Sequence, residues 1–274
     1  MRDRHIGRLL AGVALAAVIA GPAFAQGTIK FAPHADLKVG DPITNTAAIT
    51  LLHSYMIFDT LYAFDDKYQA QPQMVQSHTV SADGLTYTFK LRPGLKFHDG
   101  SAVTTKDVVA SVKRWAARDS NGRAMTAAGA TVAAVDDQTF TITLKEKWGL
   151  ILDSLAKLSA NVAFVMREKE ASTDPNTPIT ETIGSGPFTF EKAEWVPGSK
   201  VVYKKFAGYA PRSEPANMYS GGKAVKVDRV EWQYLPDSNT AAAALNAGEV
   251  DIYENPTLDL LPTLKRNPNL TAKV

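Results

Sequence analysis

Leu85, Tyr87, Phe89 and Leu91 alternate with Thr86, Thr88, Lys90 and Arg92. That period of two predicts a strand with one face on a core. Pro93-Gly94 follows. Proline presets φ and glycine accepts a positive φ, so a tight turn is expected there. Leu95 and Phe97 predict a second short strand, with Lys96 and His98 on its other face and Asp99-Gly100 as its stop. Thr104 stands three residues before Asp107, where a carboxylate can reach back to the start of a helix. Val108, Val112 and Trp115, at i, i+4 and i+7, then give that helix one apolar stripe.

The same patterns extend along the chain. Residues 28–32 (TIKFA) predict a strand, Leu37 to Pro42 a loop, and Ala47 to Tyr62 a helix. In that helix Leu52, Met56 and Asp59, or Tyr55, Phe58 and Tyr62, fall on successive turns and predict core contacts. Arg118 to Gly129 is small and polar and reads as a loop or a broken helix. Val132 to Leu144 predicts a hairpin turned at Asp136-Asp137-Gln138, Leu150 to Ala160 a helix, and Val162 to Met166 a strand. Asp174 to Pro178 is a proline-interrupted loop, and Ile183 to Phe188 a glycine-rich crossover between elements. Trp195 to Tyr203 predicts a hairpin and Val227 to Leu235 a strand. Ser238 is placed to cap a helix over Asn239–Ala247, which Gly248 ends before a strand at Val250–Tyr253. Strand, helix and strand at that spacing predict a βαβ unit with a parallel pair. Pro256 is expected to open a further helix, and Leu270, Ala272 and Val274 to begin another strand.

The amino terminus has a different character. Arg2, Arg4 and Arg8 precede an apolar run from Leu9 to Ala20, Pro22 breaks it, and Ala23-Phe24-Ala25 follows. This predicts a secretory signal over residues 1–25, cleaved after Ala25 to leave Gln26 first. The run is shorter than the ~18 to 20 apolar residues of a spanning helix. Without that segment the basic and acidic residues balance, so nothing points to a nucleic acid or a polybasic membrane contact. The chain has no cysteine, which excludes disulfides, thiolate metal sites and a lipid-modified amino-terminal cysteine. His34, His53, His78 and His98 stand in no metal-ligand spacing, and the Asp65-Asp66 and Asp136-Asp137 pairs fall in turns. Gly184-Ser185-Gly186 lacks the Lys and Ser/Thr of a phosphate loop, and no G-x-S-x-G is present. No catalytic, cofactor-binding or metal-binding residue is therefore expected.

The order of residues from Phe89 to Val108, F-x-L-R-P-G-x-x-F-H-D-G-x-x-V-T-x-x-D-V, resembles the signature of the family 5 extracellular solute-binding proteins of ABC transporters. Asp41-Pro42 with Ala47-Ala48, then F-D-T-L-Y over residues 58–62, resemble its opening segment, although Gly40 stands where that family usually has leucine. G-S-G-P-F at 184–188, W-x-P-G-x-x-V at 195–201 and A-G-E-V-D-I at 247–252 continue the likeness.

The resemblance implies an α/β fold like that of type II periplasmic binding proteins, with mixed sheets and flanking helices. It implies a discontinuous first domain (residues 27–62 and 183–274) and an inserted small domain (63–182). It also implies a periplasmic, monomeric receptor that closes over a peptide or similar small solute and delivers it to ABC permease subunits. Peptide-binding members hold the ligand backbone with strand-like hydrogen bonds, and by alignment on Asp41-Pro42 the ligand-facing residues are Thr46, Ala47 and Ala48. Nickel, heme, oligosaccharide and opine receptors share the signature, so the ligand stays open. Family members are about twice this length, so the large C-terminal lobe that anchors the ligand's charged end is expected to be missing. An apolar patch near Leu235, Ile252 and Leu258–Leu264, and no solute binding by this chain alone, are the expected consequences. The competing expectation is a secreted hydrolase with an unrecognised active site.

Overall fold

The computed structural model describes residues 27–273, so the expected signal segment lies outside the described residues. β1 (Thr28–Ala32) is the TIKFA strand. An irregular segment leads to α1 (Ala48–Ile57), which is shorter than its apolar stripes suggested. Phe58 turns extended, and the residues after it pair with other strands: β2 (Asp59–Thr60) and β3 (Tyr62–Phe64), the latter against β4 (Ala70–Pro72). Correspondingly, α1 buries Ile49, His53 and Ile57 with Thr50 and Ser54, while Leu52, Tyr55 and Met56 are half-buried.

β5 (Val75–Val80) and β6 (Thr86–Leu91) form the first part of an antiparallel sheet. Leu95 and Phe97 are buried, but they lie in a loop rather than a strand. That loop folds on itself, with Phe97 N–H donating to Ser101 O (2.8 Å) and Val103 N–H to Leu95 O (3.1 Å). α2 (Thr105–Arg118) opens as its sequence predicts: the Asp107 carboxylate accepts the Thr104 N–H at 2.8 Å. The helix breaks at Asp119, whose carboxylate accepts the N–H groups of Asn121 and Gly122 and starts α3 (Ser120–Ala127). β7 (Thr131–Ala134) and β8 (Thr139–Thr143) are the predicted hairpin, with Asp136 Oδ1 accepting from Gln138 N–H and Thr139 N–H. α4 (Ile151–Leu155) is half the predicted length, since the chain soon reaches Asn161 in a left-handed conformation (φ 57°). β9 (Phe164–Val165) pairs with β2, and α5 (Glu168–Ala171) is a short helix that no periodicity announced.

Next come the strands β10 (Phe188–Phe190), β11 (Lys200–Lys205) and β12 (Arg229–Gln233). α6 (Ser238–Ala247) is capped by Asp237, one residue earlier than expected, through Thr240 N–H at 2.7 Å; Gly248 ends it at φ 72°. β13 (Ile252–Tyr253) and α7 (Leu261–Leu264) close the chain, α7 beginning beyond Pro256. Residues 270–273 are irregular rather than a strand, and Val274 lies outside the described residues.

The two larger sheets have the orders β10-β11-β12-β1-β13 and β5-β6-β8-β7, beside the two-stranded pairs β2-β9 and β3-β4. β12 and β13 are not neighbours, as the simplest βαβ reading required. β1 lies between them, parallel to both, because α6 carries the chain past it and β13 then pairs through Asp251 N–H to Lys30 O (2.8 Å). Residues of both sheets belong to one buried core, including Phe89 and Phe140 (stacked, 4.8 Å), Trp115 on α2, and Tyr203 and Trp232. Each such aromatic pair adds about 0.5–1.5 kcal/mol beyond area burial. In the C-terminal region Leu264 is buried and Leu235, Leu260 and Leu261 are half-buried. Apolar exposure there is concentrated at Ile252 and Leu258 (47% and 83%).

Residues 183–187 pass directly against the end of α1. Gly186 N–H donates to Ile57 O at 3.0 Å, and a Cβ on Gly184 would stand 1.7 Å from that oxygen. Backbone cannot yield as a side-chain tip does. Gly184→Ala is therefore expected to cost about 3 kcal/mol or more in urea unfolding. Gly149→Ala, where a Cβ meets nothing within 4 Å, is expected to stay within about 0.5 kcal/mol.

Candidate functional site

The segment that delivers the chain to α1 is held by a buried ion pair. Asp41 and Arg114 have side chains 0% and 1% exposed, with Nη2–Oδ2 at 2.7 Å and Nη1–Oδ1 at 3.1 Å. Burial alone would push the Asp41 carboxyl up. The hydrogen bonds from Arg114 and from the N–H groups of Ile43 (2.8 Å) and Ile179 (2.9 Å) hold it below its ordinary value instead. Arg114 spends its other N–H groups on Thr173 O and Thr177 O. Asn161 donates to both Pro42 O (3.0 Å) and Ile43 O (2.9 Å), and Thr50 Oγ1 donates to Val39 O.

Fixed in this way, the chain emerges at Thr46, Ala47 and Ala48, all exposed. Ala47 N–H donates to Asn45 Oδ1 at 2.7 Å, and Ala47 is the α1 N-cap with no side-chain cap. The first turn holds no acidic residue, and the N–H groups of Ala48, Ile49 and Thr50 have no partner among the described residues. Unsatisfied amides at the positive end of a helix favour an oxygen acceptor. The three residues singled out from the sequence thus sit together on one accessible helix start. Sequence reading did not reach Arg114, the side chain that anchors this segment. A lone arginine on a helix carries no signal of its partner 73 residues away.

Gly40 has a physical reason. A Cβ there would lie 3.2 Å from both His53 Nε2 and Thr182 Cγ2, so the place of a larger residue is taken. His53 is fully buried, its Nδ1 is 2.8 Å from the Tyr203 hydroxyl, and burial lowers its pKa to about 3.

His98, in the F-H-D-G run, ties the signature loop to the crossover. Gly184 N–H donates to His98 Nδ1 (3.2 Å), Nε2 lies 3.1 Å from Gly186 O, and His98 N–H donates to Gly184 O (2.8 Å). An imidazole that accepts at Nδ1 and donates at Nε2 is neutral. Burial accordingly lowers its pKa to about 4, against the opposing pull of the Gly186 carbonyl and Asp99. The other histidines pair with Glu254 (His34) and the Tyr62 hydroxyl (His78). Among the described residues none of these four hydrogen-bonds to a serine or threonine hydroxyl, and there is no group of three His, Cys, Asp or Glu placed to hold a metal ion.

The comparisons with known proteins agree with one another. Residues 69–273 match the family described as bacterial extracellular solute-binding proteins, family 5 Middle. A probable peptide ABC transporter periplasmic-binding protein of Sinorhizobium fredii is 41% identical over 270 residues, 95% of this chain and 50% of its own length. The glutathione-binding protein GsiB of Escherichia coli K12 is 29% identical over 278 residues, 98% of this chain and 50% of that protein. Among solved structures, AgaA from A. tumefaciens R10 in complex with agropinic acid superposes with a TM-score of 0.71 at 26% identity, covering 88% of this chain and 46% of its own. The oligopeptide-binding protein AppA of Bacillus subtilis in complex with a nonapeptide gives 0.71 at 23% identity, covering 90% and 47%. These neighbours share the type II periplasmic binding protein fold. The chain spans about half the length of the curated relatives it matches.

His53, fully buried, and His98, half-buried, set an acid limit. Their folded values lie below the ordinary 6.5, so their contribution is complete above pH 6.5 and is lost as pH falls toward 4 for His98 and 3 for His53. Unfolding free energy is expected to fall between pH 6.5 and 4, with about 3 kcal/mol from His98. His98→Gln, whose amide can both accept from Gly184 and donate to Gly186, is expected to flatten that slope in urea titrations. An unchanged slope would contradict the assignment.

Proposed function

Because the chain belongs to the family 5 bacterial extracellular solute-binding proteins, we propose that it supplies the first lobe of an ABC importer's receptor. That lobe captures a peptide or similar small solute and delivers it to the permease subunits. The family match is the observation that carries this reading. It favours a binding protein over a hydrolase. The signal-like residues 1–25 favour a secreted, periplasmic protein, and the family likeness favours a monomer.

In this reading residues 27–62 and 183–274 form one discontinuous domain and residues 63–182 an inserted one. The contact of residues 184–186 with Ile57, where the chain leaves and re-enters the first sheet's unit, supports that division. Thr46, Ala47 and Ala48 are the ligand-facing residues of this lobe. The relatives named for peptides and for glutathione favour a solute with peptide carbonyl and carboxylate oxygens. The open amides of the α1 start suit such oxygens, since main-chain donors bind them without reading side chains. Capture is then a closure of lobes, with the solute stabilising the closed form through contacts the open form lacks.

Ala47→Asp separates this role from a structural one. An aspartate at the N-cap satisfies the first-turn amides and is expected to stabilise α1 by about 0.5–2 kcal/mol. It also occupies the donors assigned to the solute and adds a like charge. In a chain of the relatives' length carrying this sequence, thermal melts should rise while calorimetric affinity for short peptides falls at least about tenfold, or 1.4 kcal/mol. Higher stability with unchanged affinity would remove these residues from the site.

A further inference from the structure

We propose that the outer edge of β7 and the groove beside it dock an extended, acidic segment of a second protein. This surface lies on the second sheet and is independent of solute capture. β7 is the last strand of the order β5-β6-β8-β7, so one of its sides is unpaired. Val135 N–H donates to Thr139 O (2.8 Å), and the register pairs Ala133 with Thr141 and Thr131 with Thr143. In an antiparallel ladder hydrogen-bonded pairs alternate. The N–H and C=O groups of Val132 and Ala134 therefore point away from β8, along the open edge.

The edge lacks the usual guards. Its sequence is Thr-Val-Ala-Ala with no proline or charge, three of the four residues are exposed, and Val135 beyond it is 63% exposed. An edge of this kind accepts another strand. The opposite edge, β5, is interrupted by a register shift between Val75 and Ser77, and β13 of the other sheet has only two residues.

The groove fits the same occupant. A hollow of about 670 Å³ runs between β7, α2 and α3, floored by Val112, Ala116 and Met125. Lys113 and Arg123 line it, and no carboxylate does. Neither cation forms an ion pair among the described residues. The adjoining hollow is lined by Glu168 and Asp174 with Lys106, Arg114 and again Lys113, and Arg114 is paired with Asp41, so Arg123, at the α3 end, is the cation that shares no hollow with a carboxylate. A strand added to β7 would place alternate side chains over α2, where apolar residues meet the small floor and carboxylates meet the two cations.

The probe is an end-blocked octapeptide Thr-Val-Thr-Glu-Thr-Val-Thr-Glu (the Glu-Val peptide), whose Val and Glu side chains all fall on one face of the added strand, with Lys in place of Glu (the Lys-Val peptide) as control, read by amide hydrogen exchange on the whole chain. The expected result is protection of Val132 and Ala134 by the Glu-Val peptide only. That protection should fall at least tenfold in K113E/R123E, and also in K113Q/R123Q should the reversed variant fold poorly. No protection at these amides, equal protection by the Lys-Val peptide, or protection at the β5 or β13 edge instead would overturn the proposal.

Discussion

A carboxylate and a guanidinium with almost no solvent exposure face each other between the segment leading to α1 and the middle of α2. Taking both charges out of water costs several kcal/mol per ion. The pair is tolerable only because its remaining hydrogen-bonding capacity is filled. Asp41 also accepts from Ile43 and Ile179, and Arg114 also donates to Thr173 and Thr177. Four stretches of chain thus meet at one point: residues 41–43, α2, the turn at 173–177, and residue 179. An apolar pair of similar volume could hold the same space at no loss of stability. It could not dictate where four backbone groups sit.

The position of α1 depends on this meeting point. Its start is exposed and uncapped, while its far end is pressed by Gly184 and Gly186. Those glycines are in turn held by His98 from the loop that precedes α2. Both ends of α1 are therefore tied to the same region of the chain, once through Arg114 on α2 and once through His98 in the signature loop. The stretch most readable in the sequence is linked to the candidate solute-facing residues through these intermediaries.

Much of this was legible where the signal is local. The alternation of Leu85 to Leu91, the Thr104–Asp107 cap and Gly248 each act within a few residues, and each forms as its chemistry requires. The reading failed where distant pairing decides. Phe58 to Tyr62 fall within the predicted helix, yet Asp59–Thr60 join β2 and Tyr62 joins β3 because Phe164–Val165 and residues 70–72 lie beside them. Leu95 and Phe97 alternate like a strand but close a loop whose partner is Gly184. β12 and β13 look adjacent from their spacing, yet β1, from the other end of the chain, separates them. In the candidate site the exposed residues came from a likeness in order. The ion pair that sets them could not be read, since nothing local links Asp41 to a helix residue 73 positions on.

Hydrogen exchange across residues 39–54 and at Ile179 in Arg114→Met, compared with the unaltered chain, tests most directly whether the buried pair sets the candidate solute-facing segment. The variant fills the same space without the charge or the directed N–H groups. Protection is predicted to be lost at the Ile43 and Ile179 amides and at the first hydrogen-bonded amides of α1, with the β10–β12 strands unchanged. Unaltered exchange over residues 39–54 and at Ile179, or an equal loss throughout both sheets, would contradict a controlling role for the pair.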